Sequence, residues 1–180
     1  MIENYNKIKT IYDEFHKFLE KNNRLPLKDT GIGYWGVTPI DDAFSFFQKI
    51  KLNNYKNFLD IGSGDGRMVL LASLFNVISH GIEYDDELVF NALDFRRKLG
   101  DEFLNKTKIL KKDFLEHDMS SYDLIYISPD KPFYRSNLNN KLLNELKGKL
   151  IVHGWEFFPS NLKEVESHVI NGEKFTIYEK

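Results

Sequence analysis

Cysteine is absent from all 180 residues, which excludes disulfides, thiolate metal sites and cysteine nucleophiles. Excess charge is lacking as well. The 25 Lys and Arg against 27 Asp and Glu leave a formal net charge of −2. A protein that draws its affinity from phosphate contacts carries a basic stripe instead. Nucleic acid is therefore disfavoured as a partner. No apolar run approaches the ~18 residues of a membrane span. The opening MIENYNKIKT is polar where a secretory signal needs an apolar stretch. No membrane partner is expected, and cytoplasm is the default location. Repeats and low-complexity linkers are missing. So is any His/Asp/Glu cluster at metal-ligand spacing, and no metal is expected. Ser63 has no paired His in the pattern, which discounts hydrolase chemistry.

What is present is ordinary globular material. Hydrophobic residues make up 42% and charged residues 29%, and the length suits a single domain over residues 1–180. Within it, residues 1–50 read as a helical N-terminal extension with a covering loop, and residues 51–180 as the core. Ile2, Tyr5, Ile8, Ile11, Tyr12, Phe15, Phe18 and Leu19 recur at helical spacing. Asn22, Asn23 and Pro26 end that helix, whose apolar face packs on the domain or on a partner. A glycine-containing loop follows from Lys28 to Val37. Thr38-Pro39 then reads as a helix start, with Thr38 as N-cap and Pro39 at the first helical position.

From Lys56 the chain alternates. Strands are expected at Lys56 to Ile61, Val77 to Glu83, Thr107 to Lys111, Asp123 to Ser128 and Lys149 to His153. Helices fall between them, among them Asp86 to Leu99 and Asn137 to Leu146. Alternation implies a parallel, doubly wound α/β sheet. The ending differs: Ser167 to Ile170, Asn171-Gly172, then Lys174 to Tyr178 is a hairpin pattern, because Asn-Gly suits a type I′ turn. The expected architecture is a mostly parallel, seven-stranded sheet of Rossmann-like type closed by an antiparallel hairpin.

The most informative segment is Phe58-Leu59-Asp60-Ile61-Gly62-Ser63-Gly64-Asp65-Gly66-Arg67. A strand ends, three glycines alternate and a helix begins, so the backbone can turn sharply and approach a ligand. The G-x-G-x-G spacing is one residue shorter than the dinucleotide fingerprint. Glu83 ends the second strand where a nucleotide site places an acid against ribose hydroxyls; its alternative is a solvated strand-end carboxylate. Asp113-Phe114 ends the third strand, where an acid can accept from an adenine amino group and an aromatic can cover the ring. Asp60, Glu83 and Asp113 thus line the carboxyl rim of the sheet. An acidic rim suits a cationic sulfonium ligand and suits a pyrophosphate poorly.

These residues resemble the class I S-adenosylmethionine-dependent methyltransferases. The resemblance rests on DIGSGDGR, GIEYDDEL, KKDF and YDLIYISPD, and covers residues 56–180. The order of GYWGVTP, DIGSGDGR, GIEYDDELV and NNKLLNELKGKLIVHGWEF looks like the small archaeal-type and mitochondrial protein-lysine methyltransferases. It implies S-adenosylmethionine as cofactor and Tyr34 and Pro39 near it. The implied contacts are Trp35, Thr38, Asp60, Gly62, Ser63, Gly64, Gly66, Arg67, Glu83, Tyr84, Asp113 and Phe114. The expected reaction is methyl transfer to an amine nitrogen, with protein-lysine methylation and a protein substrate as the first expectation. Two departures are visible. Tyr84-Asp85-Asp86 stands where that family has Asn-Pro. Ser128-Pro129-Asp130 is closer to the Asn/Ser-Pro-Pro-aromatic pattern of enzymes that methylate base or glutamine amino groups. Alternatives are therefore a nucleic-acid or small-molecule amino-methyltransferase, or a binding module without turnover.

Ser128, Pro129 and Asp130 are the candidate catalytic residues, with Asp130 able to orient an amine or accept its proton; a turn role after proline is the alternative. His153, Trp155, Glu156 and Phe157 end the fifth strand on the same side. His153 reads more readily as a satisfied strand-end histidine than as a base, and Trp155 and Phe157 as channel lining or core.

Overall fold

The computed structural model describes residues 1–31, 33–129 and 137–180. Its centre is a seven-stranded sheet. Five strands run parallel: β3 (Asn57–Ile61), β4 (Ile78–Glu83), β5 (Thr107–Lys111), β6 (Leu124–Ile127) and β7 (Lys149–His153). They are followed by β8 (Lys163–Ile170) and β9 (Glu173–Glu179). The spatial order is β5-β4-β3-β6-β7-β9-β8, so the last strand slots antiparallel between β7 and β8. Asn171 (φ 49°) and Gly172 (φ 95°) turn the hairpin with the two positive φ angles that a type I′ turn requires. β6 reads LIYI and is buried at every position, as a strand covered on both faces must be.

Helices cover both faces. On one lie α1 (Ile2–Lys21), α2 (Ile40–Lys49), α3 (Arg67–Ser73) and α4 (Asp86–Leu99), with Phe46, Phe47, Phe58, Leu70 and Phe75 in their shared core. On the other, α6 (Asn137–Glu145) sets Leu138 and Leu142 against Leu59, Ile125 and Leu150. A single-turn α5 (Asp101–Leu104) follows α4. The apolar stripe of α1 turns inward onto α3 and α4. Ile8, Tyr12 and Leu19 are buried, and the Tyr12 ring meets Phe95 edge-on at 5.2 Å. Among the described residues no helix is long and apolar enough to cross a membrane.

Two local expectations are corrected. Pro39, not Thr38, is the N-cap residue of α2, and no side chain caps that end. The Thr38 carbonyl is held instead by Arg67. The covering segment is not a plain loop: β1 (Leu27–Asp29) and β2 (Tyr34–Gly36) form a small antiparallel hairpin. Asp29 Oδ1 accepts from the Gly31 N–H at 2.8 Å, and Thr30 N–H donates to the Gly33 carbonyl at 2.9 Å. Both bonds are local and leave no periodic trace in the sequence.

Candidate functional site

The β3–α3 turn builds the floor of a cleft at the carboxyl ends of the central strands. Trp35, Thr38, Asp60, Gly62, Ser63, Gly64, Arg67 and Ser128 all line it, with Tyr126 beneath. Gly64 has φ +54°, and a Cβ there would stand 2.4 Å from Cδ1 of Trp35. The indole of the β1–β2 hairpin therefore rests on the glycine turn as a roof. Gly62 faces open space. Gly66 serves packing: a Cβ on it would be 2.9 Å from the Ala92 Cβ on α4.

Glu83 ends β4 with its carboxylate turned to this floor. Oε2 accepts from Gly64 N–H at 2.8 Å, and Oε1 accepts from the N–H groups of Tyr84 and Asp85 at 2.8 and 2.9 Å. A carboxylate offers about four lone-pair sites. Three are taken, and one on Oε2 is left for a further donor. Asp60 is buried, and no hydrogen bond reaches its carboxylate among the described residues. Burial first, then the neighbouring carboxylates of Glu83 and Asp65, push its pKa well above the ordinary carboxylate range. Beside it on β6 the Tyr126 hydroxyl is buried near Thr38 and Ser128 without closing a hydrogen bond. The cleft thus holds acceptor positions on Glu83 and Asp60 that the donors of the described residues leave unfilled.

Several expected contacts are committed elsewhere. Arg67 is buried and bonded to Asp65 through Nε at 3.0 Å and through a terminal nitrogen. Its other terminal nitrogen donates to the Thr38 carbonyl at 3.1 Å, and its guanidinium lies 4.8 Å from the centre of the Tyr12 ring. Tyr12 hydroxyl in turn donates to the Asp65 carbonyl at 2.9 Å. Arg67 therefore ties α1, the glycine turn and the Thr38 segment together, leaving little of the guanidinium for a ligand. Ser63 Oγ is turned towards Gly81 and Val69. Asp113 accepts from Leu115 N–H at 3.0 Å, capping the short turn after β5, and Phe114 is buried with Ile61 and Ile82. Tyr84 is exposed. Tyr84, Asp113 and Phe114 do not line the cleft around Gly64. Asp130 lies outside the described residues.

The side expected to receive an acceptor is bordered by Ser128-Pro129 after β6 and by the segment after β7. A Cβ on Gly154 would come 3.7 Å from the Pro129 carbonyl, so these two segments abut. His153 is buried and bonded at both ring nitrogens, to Ser128 Oγ at 2.9 Å and to Glu173 Oε2 at 2.7 Å. Sequence reasoning named Ser128 and His153 separately and did not find Glu173. Glu173 opens β9 one residue before the expected strand start at Lys174, and it shares a face with Phe175.

The strand order, with a final antiparallel strand inserted beside the last parallel one, is that of the Rossmann-like class I methyltransferase fold. No family model and no curated protein sequence matches the chain. Solved structures do match. An RNA methyltransferase from Salinibacter ruber, in complex with S-adenosyl-L-homocysteine, aligns with 20% identity over 79% of this chain and 92% of its own, at a TM-score of 0.69. A putative methyltransferase, yhhF, from Escherichia coli aligns with 17% identity over 77% and 84%, at 0.57. Magnesium protoporphyrin IX methyltransferase from Synechocystis PCC 6803 with bound S-adenosylmethionine aligns with 12% identity over 77% and 76%, at 0.59.

Identities at this level establish the fold. They lend nothing to the narrower likeness to protein-lysine enzymes. The expectation of a protein substrate, with nucleic acid disfavoured, is corrected: this fold is one that an RNA methyltransferase uses. Net charge misled because it sums the whole chain and says nothing of one rim.

Proposed function

We propose that the protein is an S-adenosylmethionine-dependent methyltransferase acting on a base nitrogen of RNA. The observation that carries the cofactor is the pairing of a glycine turn, open at Gly62 and roofed by Trp35 at Gly64, with two buried carboxylates. Glu83 keeps one free acceptor position for a ribose hydroxyl, and Asp60 has no partner of its own. An ammonium group beside Asp60 would supply the cation that burial and its acidic neighbours withhold. The donor contributes a methyl group on a sulfonium, and the chain contributes position. Trp35 on Gly64 excludes water from above, and the Tyr126 hydroxyl offers an unused polar group from below.

The acceptor reading draws on the rim beside Pro129. Trp155 and Phe158 are 54% and 62% exposed, and the Lys174 ammonium lies 4.7 and 5.7 Å from their ring centres. Exposed aromatics with a cation between them suit an unstacked base above a phosphate, where stacking is worth about 1–3 kcal/mol per base. RNA methylation at such a rim needs no basic stripe.

The test is incubation with methyl-labelled S-adenosylmethionine and total cellular RNA, followed by nuclease digestion. Label is expected in the nuclease-sensitive fraction, and Trp155→Ala should weaken RNA binding. Label that survives nuclease and falls to protease, or no transfer despite bound cofactor, defeats the reading.

A further inference from the structure

Three neighbouring strand ends carry a continuous chain of side chains at the acceptor side of the cleft. β6 and β7 run parallel with Ile127 opposite Val152, so the next residues, Ser128 and His153, come side by side. β7 and β9 pair with His153 opposite Phe175. Two residues earlier on the same face of β9 stands Glu173, and its carboxylate meets the far nitrogen of the imidazole. The ring is fixed in place by a stack: Phe175 covers His153 at 4.5 Å and Phe46 covers Phe175 at 4.3 Å, each pair within 10° of parallel.

The bonding assigns the protons. A carboxylate has only lone pairs to offer, so His153 Nε2 carries the hydrogen and donates it to Glu173 Oε2. Nδ1 is then bare and accepts from the Ser128 hydroxyl. Ser128 Oγ, its own proton pointed inward, turns its lone pairs to the cleft it lines. Each end meets solvent differently. Ser128 is exposed at the cleft, His153 is buried, and the Glu173 side chain is 35% exposed on the outer side.

We propose that Ser128, His153 and Glu173 form a proton relay that takes up the acceptor's proton during transfer. The inference rests on the acceptor reading above. The acceptor nitrogen uses its lone pair to bond the methyl carbon, whose bond to sulfur breaks with the electron pair left on sulfur. The nitrogen's surplus proton passes to Ser128 Oγ while the Ser128 proton passes to His153 Nδ1. The imidazolium so formed is held by Glu173 and, once the product has left, gives its Nδ1 proton back through Ser128 to water in the cleft, which restores the Nε2–H ring for the next turnover. Ser128 is the catalytic residue of the set; His153 and Glu173 are positioning residues that act through it. The ionisable groups around His153 are Glu173 from β9, Asp42 from α2 and Tyr126 from β6. Burial lowers the His153 pKa and Glu173 and Asp42 partly restore it, which keeps the resting ring neutral and able to accept.

Two measurements test the relay. The first needs no acceptor: long-range ¹H–¹⁵N NMR of the full chain, with His153→Asn to assign the ring among the 5 histidines. The Nε2–H tautomer is expected, with the Nδ1 resonance shifting in Ser128→Ala. An Nδ1–H tautomer overturns the relay, because Ser128 would then be an acceptor from the ring. The second is the pH dependence of kcat and KM with total cellular RNA. Wild-type kcat should rise with pH to a plateau. Ser128→Ala and His153→Asn should lose about 10²-fold in kcat with KM little changed, and His153→Asn should lose the rise. Glu173→Gln should move the rise to lower pH, since the carboxylate favouring the imidazolium is gone. A rise in His153→Asn that superimposes on the wild-type rise overturns the relay. Absence of transfer by the wild-type protein overturns the acceptor reading alone, and the tautomer still decides the relay.

Discussion

Lys28 and Trp35 are direct partners across β1 and β2, so the residue that fastens the hairpin stands opposite the one that roofs the glycine turn. Lys28 Nζ bonds Asp85 Oδ1 at 2.7 Å and Glu87 Oε2 at 2.8 Å at the start of α4, and Arg24 reaches the same Glu87. The fastening is electrostatic and partly exposed, so each pair contributes only about 0.2–1 kcal/mol and weakens with salt. Lys28→Met should accelerate hydrogen exchange over residues 27–36 and speed release of S-adenosylhomocysteine by about two- to tenfold. Stopped-flow tryptophan fluorescence checks the release. Unchanged exchange and release would show that Lys28 fastens nothing.

Glu83→Ala should weaken binding of S-adenosylhomocysteine by roughly 1–3 kcal/mol. The substitution removes the remaining acceptor site and releases the N–H groups of Gly64, Tyr84 and Asp85. Glu83→Gln should lose less, because its carbonyl oxygen still accepts. Titration calorimetry separates the two variants, and equal affinity in all three proteins would remove Glu83 from the site.

Asp60 should make ligand binding a proton-linked event. Its folded pKa is raised, so between the unfolded carboxylate value and that raised value the folded chain binds the extra proton. Stability contributed by Asp60 therefore falls as pH rises through this window. Asp60→Asn should remove that fall and leave the free protein more stable at neutral pH in denaturant titrations. A cationic ligand favours the ionised form, so binding should release a proton from the wild-type protein and not from Asp60→Asn. Calorimetry in buffers of different ionisation enthalpy counts that proton.

Arg67 belongs to the architecture. Arg67→Ala strands the buried Asp65 carboxylate, and loss of one partner from such a pair costs about 3–5 kcal/mol. Urea unfolding should show that loss. Arg67→Lys should recover only part of it, because one ammonium cannot reach both Asp65 oxygens and the Thr38 carbonyl as the guanidinium fork does. A stable Arg67→Ala variant with impaired ligand binding would return the residue to the site.

The parallel strands were legible because each announces itself locally, whereas β8 begins at Lys163 rather than at the expected Ser167, its register with β9 shifting between Glu164 and Glu166. Thr107–Lys111 and Lys149–His153 have the expected ends, as does the helix Asp86–Leu99. The Asn171-Gly172 turn fixed the closing hairpin from two residues. The glycine turn was legible as a turn, but the division of labour within it was not. Whether Gly66 meets a ligand or Ala92 depends on how α3 and α4 cross, and no local pattern encodes that crossing. Arg67 misled for the same reason: its partners Tyr12 and Thr38 come from segments far apart in the chain. Glu173 escaped notice because its role depends on β9 lying beside β7, a long-range pairing that alternation alone does not specify.

That pairing orders events during synthesis. β9 leaves the ribosome after both strands it finally separates, so β8 cannot settle against β7 first without blocking the slot. The five parallel strands can assemble while the nascent chain still presents an open β7 edge, and His153 spends that interval without its carboxylate neighbour. Completion is simplest if β8 and β9 arrive as a preformed ribbon, which the Asn171-Gly172 turn is suited to nucleate on its own.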